Sequence, residues 1–230
     1  MFPLRDDIPS RCYPVVNLGL ILFCIVGFAY ELWLGSALDG FIQTHGFVPA
    51  RFAEQWAAGG LAEGLASVFT SMFLHGGLLH LFSNLWTLWI FGDNVEDSMG
   101  HSRYLLFYLL CGAISVFAQA AAAPEATLPM VGASGAISGV LGAYFVLYPR
   151  ARVLTLVPVL IFFYLVEVPA YLFLGLWILM QVLRGYVEVL PANGELRGGV
   201  AWWAHVGGFF SGMVLIWLFA ENSFLRRRRE

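Results

Sequence analysis

The sequence predicts an all-α membrane protein: a bundle of six transmembrane helices forming one domain over residues 1–230. Two features of the chain carry this expectation. Of its 230 residues 60% are hydrophobic and only 12% are charged, about half the charged share of an average soluble domain. So little polar surface cannot cover a globule of this size, and most of the exterior must face lipid. In addition, apolar runs of membrane-spanning length occur six times.

In chain order these runs are Val15 to Leu34, about Leu74 to Phe91, Tyr104 to Ala123, Met130 to Tyr148, about Val168 to Leu183, and Val200 to Ala220. The first is long enough to cross a bilayer, which argues against a cleaved leader even though Gly35-Ser36-Ala37 mimics a cleavage site. The connection from Gly35 to Phe73 carries Phe41, Phe47, Phe52 and Trp56 with few charges. It is expected to be a structured first external loop lying in the interface, since disordered loops are seldom this aromatic. The stretch Val153 to Val166 is apolar but interrupted by Pro158 and followed by Glu167 and Pro169. As a helix it would reach only about 21 Å, too short to cross alone.

Six spans set the orientation. They place Arg5, Arg11, Arg103, Arg150, Arg152 and Arg226 to Arg229 on one side, and Arg51, Arg184 and Arg197 on the other. By the positive-inside rule both termini are cytoplasmic: a segment of about residues 1–14 and an Arg-rich tail of about 221–230. The expected location is the inner (plasma) membrane. All 12 basic residues are Arg and the net charge is -3, which builds no phosphate-binding face, so nucleic acid is not an expected partner. Cys12, Cys24 and Cys111 are an odd number without C-x-x-C spacing, so neither a disulfide framework nor a zinc site is expected. No cofactor and no metal is implied.

Polar side chains inside a span are costly and mark functional candidates. Span two holds His75, His80, Ser83 and Asn84, span four Ser134 and Ser138, and span six His205 and Ser211. These even-numbered helices start at the external face, so His80, Asn84, Ser134 and His205 fall at one depth, one to two turns below it. His80 and Asn84 share a helix face at i, i+4, while His75 would lie about 140° from His80. Gly132, Gly135, Gly139 and Gly142 form a small-residue stripe beside Ser134, and Gly208 and Gly212 continue the stripe of His205. Such faces allow close helix approach, which a short serine needs to meet an imidazole. The spacing therefore predicts a Ser134 to His205 contact, a nucleophile with its general base. His80, Asn84 and the Ser134 backbone N–H could stabilise an oxyanion. No Asp or Glu falls within spans two, four or six, so the site is expected to be a dyad without an orienting carboxylate. Glu31 and Glu167 are expected at the interface. Ser138 and Ser211 are expected to bond back to their own helices, and His45 and His101 are assigned no role.

These residues resemble a known family. Gly132-Ala133-Ser134-Gly135 is similar to the G-x-S-G motif of rhomboid intramembrane serine proteases, and Ala204-His205-Val206-Gly207-Gly208 to their last-helix A-H-x-x-G motif. His75, with His80-Leu81-Phe82-Ser83-Asn84, resembles their paired histidines and H-x-x-x-N. The resemblance implies a rhomboid-like bundle with Ser134 and His205 catalytic and His80 and Asn84 in the oxyanion site. It further implies cleavage of single-span membrane proteins within the lipid bilayer, near the external face. Two departures stand out: Ser138 occupies a position where some members carry an aromatic residue against the catalytic histidine, and the first loop lacks a Trp-Arg pair. The alternatives are a non-catalytic rhomboid-like binder of transmembrane clients, and a transporter or metal-handling protein using His75, His80 and His205.

Overall fold

The computed structural model describes residues 1–189 and 200–221. The chain begins with strand β1 (Phe2–Arg5) and enters helix α1 (Val15–Leu34), whose limits match the first apolar run. The connection that follows is helical rather than floppy: α2 (Leu38–His45), α3 (Pro49–Ala57) and α4 (Leu61–Thr70). The long helices α5 (Leu78–Met99) and α6 (His101–Ala122) come next, then the short α7 (Ser134–Leu147). Strands β2 (Arg152–Val159) and β3 (Phe162–Pro169) precede α8 (Ala170–Val189) and α9 (Trp202–Phe219). Among the described residues four helical stretches are long and apolar enough to cross a membrane, and five if the bent pair Gly64–Phe73 and Leu78–Met99 is taken as one span. Arg197 and the tail Arg226 to Arg229, on which part of the orientation argument rests, lie outside the described residues.

The chain is mostly helical but not all-α. The apolar stretch after α7 forms a three-stranded antiparallel sheet in the order β1-β2-β3. Val153, Thr155, Val157 and Val159 alternate along β2, a period-two pattern of β-branched residues that favours a pleated strand over a helix. Leu160 and Ile161 make the two-residue turn between the paired Val159 and Phe162, with Leu160 at a φ of 56°. Glu167 therefore lies on β3, just before α8, ion-paired to Arg152 at 2.9 Å. The N-terminal segment packs on this end of the bundle. Pro3 O accepts the Trp86 indole N–H at 2.7 Å, and Ser10 Oγ donates to Asp93 at 2.8 Å.

Helix α5 also departs from expectation, starting at Leu78 and continuing past Phe91 to include Asp93, Glu96 and Asp97. The buried Glu96 explains why acidic residues are tolerated there. Its carboxylate accepts the N–H groups of Val16 and Asn17 at 3.0 and 2.7 Å, satisfying orphan donors where the α1 dipole is positive. It also pairs with His101.

Helix α7 is the centre of the bundle, with Gly135 to Tyr144 buried without interruption. It packs most extensively on α9, where glycines on both helices bring the backbones together. A Cβ on Gly212 would sit 1.9 Å from the Gly139 carbonyl oxygen, and one on Gly208 would sit 2.1 Å from that of Gly135. Backbone meets backbone, as small-residue helix packing allows. The stripe is not uniform. The vacant side of Gly135 faces Ser115 of α6, and that of Gly132 faces His80.

Candidate active site

Ser134 is the first residue of α7, because the chain from Met130 to Ala133 is not helical. Met130 instead pairs with Phe47, in the connection between α1 and α5, and Gly132 N–H donates to Ser71 O at 2.9 Å. Gly132 has a φ of 128°, and a Cβ there would lie 2.7 Å from the His80 ring. A glycine at this position lets the loop descend over His80 and start a helix in the bundle interior. As the first residue of α7, Ser134 has a backbone N–H without an intrahelical acceptor, at the positive end of the helix dipole.

Helix α9 brings His205 to this point. The N–H groups of Trp203 and Ala204, in its first turn, donate to Gln119 Oε1 of α6 at 3.0 and 3.2 Å. That side-chain cap fixes where α9 begins, and the glycine seam fixes how closely it lies on α7. The two side chains meet with His205 Nε2 2.8 Å from Ser134 Oγ. His205 is only 8% exposed.

The ring is oriented by a residue that was not anticipated. His205 Nδ1 lies 2.8 Å from Gln181 Oε1 of α8, and the Gln181 amide N–H donates to Trp177 O at 3.3 Å. The amide oxygen therefore faces the imidazole and can only accept, so Nδ1 carries the proton and Nε2 is left to accept from Ser134 Oγ–H. A neutral amide thus occupies the place where triads use a carboxylate. Trp177, one turn before Gln181, places its ring 6.0 Å from His205, and Trp202 adds an edge contact at 6.2 Å. These indoles flank the histidine where Ser138 cannot. Ser138 Oγ donates to Ser134 O at 2.6 Å and Ser211 Oγ to Gly208 O at 2.7 Å, each back-bonding within its helix. Gln181 and Gln119 were detectable in principle, as polar residues within apolar runs.

His80 and Asn84 lie on the first two turns of α5, beneath the Gly132 loop. Asn84 is buried and its Nδ2 has no hydrogen-bond partner in the protein; the atom sits 3.7 Å from where a Gly132 Cβ would be. A buried amide donor left unpaired costs stability, and it points into the same loop that presents Ser134. His75 does not lie on α5, which begins at Leu78, so the 140° offset does not apply. Its ring instead packs 5.4 Å from that of His80. Glu31, near the end of α1, is buried against the protein, and its Oε1 accepts the His75 N–H at 3.0 Å. Among the described residues no group of three or more His, Cys, Asp or Glu is arranged to hold a metal ion, and Cys12, Cys24 and Cys111 are free.

Comparison with known proteins places the chain in a family. Rhomboid protein 1, mitochondrial, of Saccharomyces cerevisiae is 29% identical over 168 residues, which is 71% of this chain and 44% of that protein. Rhomboid protease GluP of Bacillus subtilis is 42% identical over 76 residues, 33% of this chain and 14% of that protein. Putative rhomboid protease YdcA of the same organism is 33% identical over 135 residues, 58% of this chain and 62% of that protein. The chain thus matches less than half the length of the first two. The Rhomboid domain model matches residues 62–222, well over half of the chain and inclusive of every residue of the site. The chain belongs to the rhomboid family of multi-pass membrane proteins.

Proposed function

We propose that this protein is an intramembrane serine protease that hydrolyses peptide bonds in or near the transmembrane segments of single-span membrane proteins, using Ser134 as nucleophile and His205 as general base. The observation that carries this reading is the 2.8 Å approach of His205 Nε2 to Ser134 Oγ, with Nδ1 held by Gln181. Nε2 takes the hydroxyl proton as Oγ attacks the scissile carbonyl, and the resulting imidazolium gives it to the leaving amine. The oxyanion is held by the Ser134 N–H, Asn84 Nδ2 and His80. Water then hydrolyses the acyl-enzyme, with His205 again as base.

In this reading α1, α5, α6, α7, α8 and α9 are six spans, both termini are cytoplasmic, and the protein resides in the plasma membrane. The 14 residues of α7 span about 21 Å of a hydrocarbon core of about 30 Å. If its far end reaches the cytoplasmic boundary, Ser134 sits about 9 Å below the external one. Water reaches the dyad from that side. A non-catalytic binder would need neither the Nε2 to Oγ contact nor the oriented tautomer.

The test is proteolysis of a single-span substrate in liposomes by the wild type, Ser134→Ala and His205→Ala. Both variants should be folded and equally inactive, since nucleophile and base act as a unit. Cleavage near the wild-type rate by either variant would refute the assignment.

A further inference from the structure

The β2–β3 hairpin has a surface that the candidate site does not use. From Val153 to Val166 it contains no charged residue. Its root is packed, with Val153 and Thr155 fully buried. Its tip is bare: Leu160 is 95% exposed and Ile161 82%, and Phe162, Phe163, Tyr164, Leu165 and Val166 are exposed in succession. Neighbouring residues of a strand point to opposite faces, so five exposed apolar residues in a row leave both faces of β3 apolar and uncovered. A sheet in water buries its apolar face and shows polar residues on the other. From Phe162 to Val166 the strand has no polar face, and a contiguous apolar surface of this kind marks a binding or membrane-contact site.

Three features identify lipid as the occupant. Charge is graded along the hairpin. Arg152 and its partner Glu167 stand at the root, beside Arg5 of β1, which pairs opposite Leu154. From Glu167 toward the tip come aliphatic Val166 and Leu165, then aromatic Tyr164, Phe163 and Phe162, with Leu160 and Ile161 at the apex. Charge confined to the root, with aromatic rings and aliphatic side chains toward the tip, fits an element that enters the membrane boundary tip first. The hairpin also continues directly into α8, whose exposed Tyr171, Leu172 and Leu176 extend the same surface along a helix apolar enough to cross a membrane. Finally, β1 pairs with β2 only as far as Leu156, so among the described residues the rest of that edge and the outer edge of β3 carry unpaired backbone groups. In hydrocarbon each would cost several kcal/mol, which rules out deep insertion. At the boundary, water and headgroups satisfy them. The tip extends about 10 Å beyond Val157, at roughly 3.3 Å per residue, close to the depth of about 5–10 Å at which interfacial elements lie.

We propose that the β2–β3 hairpin is a membrane-interface anchor, its tip from Leu160 to Tyr164 seated at the boundary between headgroups and acyl chains of the leaflet remote from Ser134. Because β2 follows α7 after only four residues, the anchor fixes the depth of α7 and with it that of Ser134.

The test uses the full chain in phosphatidylcholine vesicles. In a Cys12→Ser background, where the remaining Cys24 and Cys111 are buried, Ile161→Cys is labelled with an environment-sensitive fluorophore. Phe163→Cys serves as a second probe in case the first disturbs the turn, and Cys12 labelled in the unmodified chain is the reference. The expected result is several-fold stronger quenching by acyl-brominated lipid at the two hairpin positions than at Cys12, with weaker quenching by aqueous iodide. Strong iodide quenching without lipid quenching would place the tip in water. Protection from both quenchers would mean that protein covers it. Either result overturns the proposal.

Discussion

Replacing Gln181 with Leu keeps a side chain of similar size on α8 but removes the oxygen that accepts the His205 Nδ1–H at 2.8 Å. His205 is buried, so no bulk water replaces the lost partner, and an unsatisfied buried donor costs about 1–3 kcal/mol. In the proposed reaction the penalty grows as Nε2 takes the Ser134 proton, because a donor on a charged ring makes the stronger bond. At about 1.36 kcal/mol per decade, kcat should fall by about 5- to 150-fold. KM should change little, since the amide faces the imidazole and not the substrate. Gln181→Glu retains an oxygen at Nδ1 and should keep more activity than the leucine variant. The assay is steady-state cleavage of a single-span fluorogenic substrate in liposomes, with thermal unfolding measured in parallel. A Gln181→Leu enzyme with wild-type kcat would refute the orienting role, and a loss of activity matched by a loss of folding would make it structural.

Asn84→Ala removes the proposed oxyanion donor and should lower kcat by about 10²-fold or more while leaving Ser134 in place; wild-type turnover would remove Asn84 from the site. Gly212→Ala places a Cβ 1.9 Å from the Gly139 carbonyl. Forcing α9 off α7 should cost about 1–3 kcal/mol, seen as earlier thermal unfolding together with lost activity; an unchanged transition would contradict the seam. Asp6 lies outside the spans, where burial raises its carboxyl from 3.8 to about 6 against the lowering effect of the Tyr144 hydrogen bond. The folded state therefore holds a proton that the unfolded state has released, so the contribution of Asp6 to stability is present below pH 4 and is lost as pH rises to about 6. Asp6→Asn should abolish that part of the pH dependence in denaturation measured from pH 4 to 7, and an identical profile would exclude Asp6 as its source.

The parts of the fold legible in the sequence were those set by apolar run length and by glycine spacing. The Val15–Leu34 helix has the expected limits, and the contact between Ser134 and His205 follows from two facing glycine stripes at one depth. Less legible were features decided by partners distant in sequence. Run length registered Val153 to Val166 only as too short a helix; its β-branched alternation and the pairing of β1, some 150 residues earlier in the chain, make it a sheet. Hydropathy ended span two at Phe91, whereas Glu96 remains helical because it caps α1. Gln181 and Glu31 each lie in an apolar run, and nothing in the sequence pairs them with the His205 ring nitrogen and the His75 backbone N–H. Ser138 pointed to a missing ring beside His205, but only the packing of α8 shows that Trp177 supplies one.

The claim that Ser134 is an activated nucleophile is tested most directly by labelling the purified protein with a serine-directed fluorophosphonate and mapping the adduct by mass spectrometry. One modified serine is expected, Ser134, with labelling lost in His205→Ala and reduced in Gln181→Leu. No adduct, an adduct at Ser138 or Ser211, or labelling that persists without His205 would contradict it.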